Sequence, residues 1–233
     1  MTQWVAHFER NTVHHRRVDA ARDVSAACAL PAELKDPLIA SVRRFQLGES
    51  GDGAQLLRKA AAAGDAEYLS AARLFVGEEQ RHAALLMQLL DYLDAQPIER
   101  HWSDTVFVAL RRALGLRTEL MVLTIAEVIA LSYYATLENR CPDAFVEAIA
   151  SSILADERAH VEFHAQRIAA GFAASGRATR RLARLAWWLI MLATGAAVAI
   201  DHGPLLRALG GTRRAFVGSV LADFRTVART ALG

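Results

Sequence analysis

The chain has 233 residues, 53% hydrophobic and 7% aromatic, which is apolar material enough for one large packed core or two small ones. Its formal net charge is +2 and its basic residues are scattered along the sequence, which argues against nucleic acid as a partner. Cys28 and Cys141 form no Cys-x-x-Cys pair and cannot build a four-thiolate metal site.

Ala and Leu dominate the apolar set, and proline occurs only at Pro31, Pro37, Pro97, Pro142 and Pro204. That is the composition of an all-α protein. The N-terminus, MTQWVAHFERNTVHHRRVD, has no apolar core, so it does not read as a signal peptide and a cytoplasmic setting is expected.

In chain order, residues 1–30 show no sustained period and read as an N-terminal arm with one short helix. Residues 31–233 read as a single helical domain. Its first helix is expected over residues 32–62, ending at the Gly64–Asp65 turn. Asp65 then caps a second helix running to about Asp94. Ser103 caps a short helix that breaks near Gly115, and a third long helix extends to about Asn139. After the turn at Cys141–Asp143 a fourth helix runs over residues 144–173. A fifth covers the apolar stretch near 178–200. A sixth, after Gly210 and Gly211, carries Phe216, Val220, Phe224 and Val227 on one face. No proline is expected inside a long helix; Pro142 falls at a turn and Pro204 at a helix start.

The fifth helix contains a continuous apolar run, Leu185–Ile200, preceded by Arg180, Arg181 and Arg184. The run is shorter than the roughly 20 residues a membrane span needs. It is therefore expected to pack on the bundle with Trp187 or Trp188 buried, leaving a protein soluble without detergent. Peripheral membrane contact is the competing reading.

Chemistry concentrates in two Glu-x-x-His motifs, Glu79/His82 and Glu157/His160. Residues three apart on a helix are neighbours on one face, so carboxylate and imidazole converge. Of thirteen glutamates only these two have histidine three residues later. Glu49 lies 30 residues before Glu79, and Glu127 lies 30 before Glu157. The midpoints, Gly64 and Pro142, are the two expected turns. Residues equidistant from a hairpin turn stand at one level, here roughly 22 Å from it. Two such hairpins packed together would converge Glu49, Glu79, Glu127 and Glu157 with His82 and His160, the donor set of di-iron and di-manganese bundles. Glu127 is also the only charge between Glu119 and Glu138. A carboxylate in such a run must be compensated, and a metal does this best. Asp156 is expected to orient His82, and Glu78 to orient His160.

On these residues the sequence resembles the ferritin-like di-iron carboxylate superfamily, whose pattern is Glu, Glu-x-x-His, Glu, Glu-x-x-His on four successive helices. EEQRH (78–82) and DERAH (156–160) look most like its oxygen-activating members. The resemblance implies a ferritin-like four-helix bundle over residues 32–173 with two additional C-terminal helices. It also implies two iron ions, with manganese as the alternative. The chain has no cysteine-rich rubredoxin-like module, which disfavours a complete rubrerythrin. Ile153 stands where N-oxygenases of the p-aminobenzoate type add a further histidine.

The expected activity is that of an O₂-dependent oxidoreductase, of oxygenase or hydroxylase type, acting on a small or lipophilic organic substrate. An electron-donor protein and a homodimeric assembly are expected with it. Phe45, Phe75, Tyr134 and His164, one or two turns from the ligands, are expected to line the substrate cavity. Gly48, Gly51 and Gly53, around Glu49, would let the helix distort there. The alternatives are a ferroxidase or iron-storage protein and a non-enzymatic, membrane-associated helical protein.

Overall fold

Helix follows helix in the computed structural model, which describes residues 1–21, 28, 30–101 and 115–233. The elements are α1 (Thr2–Ala20), α2 (Ala32–Glu49), α3 (Ala54–Ala62), α4 (Ala66–Tyr92), α5 (Leu116–Arg140), α6 (Ala144–Phe172), α7 (Arg177–Asp201), α8 (Gly203–Ala208) and α9 (Arg213–Leu232). No strand occurs among the described residues. The short helix expected from Ser103 lies outside them.

Local chemistry sets the boundaries. Asp65 caps α4 by accepting a hydrogen bond from the Tyr68 amide. Asp143 caps α6 by accepting from the amides of Phe145 and Val146, and Thr212 caps α9 through the Ala215 amide. Each satisfies a donor that the first helical turn cannot pair internally.

Three expectations are corrected. The N-terminal arm is a 19-residue helix burying Trp4, Phe8 and His15. Only Trp4, Phe8 and His15 of it are buried, too few to show a period among its polar residues. The helix expected over residues 32–62 is broken: α2 ends at Glu49, and Gly53 turns the chain into α3 at φ 65°. There a Cβ would fall 2.5 Å from Val76 Cγ2, so only glycine lets the backbone pass that close to α4. Pro37, finally, does sit inside α2, where it costs the backbone bond to the Glu33 carbonyl near the helix start.

The chain divides into two compact units. The first comprises Met1–Ala29 and Val42–Leu116. Here α1 and α3 pack on α4, the core being built from Phe8, Leu56, Tyr68, Phe75, Leu85 and Leu89. Arg81 grips Asp19 through two hydrogen bonds of 2.9 and 2.8 Å, fixing the end of α1 to α4.

The second unit comprises Leu30–Ser41 and Arg117–Gly233. In it α9 packs on α6 and α7 with Phe216, Val220, Phe224 and Val227 all buried. Trp187 on α7 is 1% exposed, stacks edge-on against Phe224, and donates its indole N–H to the Met121 carbonyl at 2.8 Å. One side of the apolar run thus packs as the sequence suggested.

Among the described residues, two helices are long and apolar enough to cross a membrane. Leu116–Arg140 is mostly buried, as a core helix would be; Arg177–Asp201 is mostly exposed.

A candidate metal centre

In the second unit, α5 and α6 are joined by the short turn at Cys141–Asp143. Glu127 on α5 and Glu157 on α6 stand at one level, as their equal distance from that turn requires. His160 Nδ1 lies 3.6 Å from Glu127 Oε2 and 3.8 Å from Glu157 Oε2, and His164 Nε2 lies 3.7 Å from Glu127 Oε1. All four side chains are buried, with exposures of 4%, 1%, 0% and 0% for Glu127, Glu157, His160 and His164.

These separations are too long for good hydrogen bonds. Two ligand atoms each about 2.1 Å from one ion, at angles of roughly 90–120°, stand about 3.0–3.6 Å apart. The cluster's spacing is close to that of donors facing a shared cation. Burial by itself would raise the Glu127 carboxyl. Its polar contacts with Glu157, His160 and His164, and the charge on His160, outweigh burial and hold it well below its ordinary range. Glu127 is therefore charged in a dry helix interior, as a metal ligand must be.

In the first unit, Glu79 and His82 share a face of α4, with His82 Nδ1 3.6 Å from Glu79 Oε1. His82 is fully buried, while Glu79 is partly open. Glu49 is the last residue of α2 and half-buried. Because α2 stops there, the continuous rise assumed between Glu49 and Gly64 does not exist, and the first hairpin is not a copy of the second. Glu78 is 3% exposed and accepts a 2.8 Å hydrogen bond from Asn11 of α1, a partner the sequence reading missed. Asp156 is 2% exposed on α6.

Of the expected cavity residues, Phe75 and Tyr134 are buried core side chains, and Tyr134 meets the Tyr133 ring edge-on. Phe45 is half-buried on α2. His164 belongs to the Glu127 cluster itself. Glu119 is a second fully buried carboxylate on α5, which the sequence reading treated only as the border of an uncharged run.

The donors present are carboxylate oxygens and imidazole nitrogens, with no thiolate among them. That set suits iron, manganese or zinc at borderline hardness, and its burial suits a resident ion. The residues fit a metal pair.

No family model matches the chain. No curated protein matches it. A solved structure from Synechococcus, described as a protein with aldehyde deformylating oxidase activity, matches with a TM-score of 0.61. The match covers 90% of this chain and 94% of that one, at 17% identity. At that identity the likeness is one of fold: this chain has the ferritin-like helical bundle with additional C-terminal helices.

Proposed function

We propose that the chain is a di-iron oxidoreductase that uses O₂ to oxidise a small or lipophilic organic substrate. Glu49, Glu79, His82, Glu127, Glu157 and His160 would hold the two ions. Glu78 and Asp156 would steady the ligand histidines. The observation that carries the reading is the buried Glu127–Glu157–His160 cluster, a charged carboxylate between imidazoles inside a core helix pair. The activity described for the Synechococcus protein of the same fold supports the oxidative class.

Bound in reduced form, the ions would supply electrons to O₂. The chain's own residues do the rest. The carboxylates of Glu49, Glu79, Glu127 and Glu157 would neutralise the charge of the cations. Burial of His82 and His160 keeps water from the site. His164 sets its Nε2 3.7 Å from Glu127 Oε1 and so helps to fix that carboxylate within the cluster.

Metal analysis of protein expressed with iron, followed by O₂ uptake with a reductant, tests this. About two iron ions per chain with O₂ consumption is the expected result. Absence of metal from iron-replete preparations would count against the centre. Iron loading into a cage-sized particle would point instead to the ferroxidase alternative.

A further inference from the structure

One side of α7 is committed to the fold and the other is not. Trp187, Met191, Gly195 and Ala199, four residues apart, are buried. On the opposite side Leu182, Leu185, Leu189, Leu192 and Ile200 are 48–68% exposed, and Ile190 adds 43% at its edge. Spaced three, four, three and eight residues apart, they make one stripe along the helix, about 27 Å from Leu182 to Ile200. Among the described residues, six of the seven large exposed apolar side chains lie on this helix, so this is a patch and not scatter.

Charge points the same way. Residues 177–233 carry nine arginines, no lysine, and only Asp201 and Asp223, a net of +7. The first 176 residues hold the other 18 basic and 23 acidic side chains, a net of −5. The near-neutral whole therefore hides a strongly basic C-terminal segment. Arg177, Arg180, Arg181 and Arg184 line a cleft of about 440 Å³ at the start of α7. At the other end, Arg213 and Arg214 edge a shallow hollow with Ala196 and Ile200. Arg180 and Arg184 continue the buried row of Trp187 and Met191 toward Leu232 and Gly233, whereas Arg177 and Arg181, eight and four residues before Leu185, flank the apolar stripe at one end and Arg213 and Arg214 stand at the other.

We propose that this face of α7 docks in the plane of an anionic lipid surface, with leucines among the acyl chains and the arginines on headgroup phosphates. An amphipathic helix gains from buried apolar area and from attraction to anionic lipid together. A second copy is the poorer occupant, because two-fold pairing would bring two +7 segments together with only two acidic side chains apiece. A spanning α7 is excluded by its neighbours. Trp187 is tied to the Met121 carbonyl, and α9, packed along α7, presents exposed Arg214, Arg225 and Arg229 that a bilayer interior would not accept. The inference is independent of the metal centre.

Vesicle flotation of the full chain tests it. The protein should float with phosphatidylcholine vesicles containing phosphatidylglycerol, bind phosphatidylcholine alone far more weakly, and lose binding as salt rises. A Leu185→Ser/Leu189→Ser/Leu192→Ser variant should lose flotation while keeping its circular dichroism melt, since these side chains are exposed. Replacing the exposed Arg177 and Arg181 with serine should weaken binding about fivefold per arginine. Equal affinity for both vesicle types, or none for either, would overturn the proposal. So would a stable dimer that ignores vesicles and becomes monomeric in the leucine variant. The wild-type lipid and salt comparison stands even if a variant fails to fold.

Discussion

Substituting Glu127→Gln keeps the shape of the side chain and removes its charge. Glu127 is 4% exposed, and its carboxylate faces His160 at 3.6 Å and His164 at 3.7 Å. In metal-free protein, losing two charge-assisted contacts less the relief of burying a neutral amide should cost about 2 kcal/mol. For a chain of this size that is roughly 4–8 °C in Tm. Iron(II) at 100 times its Kd should then stabilise the wild type by about 2.7 kcal/mol, a further rise of roughly 5–10 °C. The variant should lose that rise. Anaerobic scanning calorimetry, with and without iron(II), reads both quantities. The sign with pH follows from the lowered Glu127 carboxyl. Its stabilising contribution is full above the ordinary carboxylate value of 4.5 and is lost as pH falls through the folded value. The gap between wild type and variant, without metal, should therefore be wide at neutral pH and close in acid. An iron-induced rise of equal size in both proteins would refute the ligand role. A gap unchanged down to about pH 3 would refute the charge argument.

Three further substitutions probe the frame. Gly53→Ala forces a Cβ into left-handed backbone and against buried Val76, and should cost about 2–4 kcal/mol in urea unfolding. Trp187→Phe removes the indole bond to the Met121 carbonyl and leaves a small void, for about 1–3 kcal/mol by the same measurement. Ser41 Oγ donates to the Tyr133 hydroxyl at 3.0 Å and lies 2.6 Å from His202 Nδ1, all three side chains being buried. Ser41→Ala takes a partner from both and should cost about 2–4 kcal/mol, whereas Tyr133→Phe should cost about 1 kcal/mol. The reverse order in unfolding would refute the network.

Helices α4, α6 and α9 were legible because each has a repeating apolar pattern and a side-chain cap, at Asp65, Asp143 and Thr212 respectively. The second hairpin was legible for a further reason. Nothing interrupts α5 or α6 between Glu127 and Glu157 except one turn, so counting residues measures height. The same count failed for Glu49, because Gly51 and Gly53 break the helix just past it, and rise per residue then has no fixed value. The full length of helix α1, where one short helix was expected, was missed because Asn11, His15 and Asp19 look like surface residues in sequence. In the fold, Asn11 and Asp19 serve Glu78 and Arg81, and His15 is buried. Polar residues that pair inside one unit leave no periodic trace. The exposed side of α7 was hidden for the opposite reason: a run apolar all round does not reveal which side is covered.

The difference between the two hairpins has a consequence for the centre itself. Glu127 lies mid-helix on α5, behind an intact backbone ladder and nearly closed to water. Glu49 ends α2, and the next residue is fixed by Ser50 Oγ donating to the Gln46 carbonyl at 2.6 Å rather than by helix continuation. A ligand at a helix end that is only partly buried can be replaced by water at modest cost, because solvent reaches the vacated position. A ligand in a dry core cannot, since water there needs two to four polar partners of its own. Glu49→Gln should therefore keep a measurable part of the iron-induced rise in Tm, on the order of half the 2.7 kcal/mol expected of the wild type, while Glu127→Gln keeps none. Calorimetry on the two variants at matched iron(II) decides the matter. Complete loss in both would mean that the end of α2 is as rigid as the α5 interior, and that Glu49 binds with equal weight.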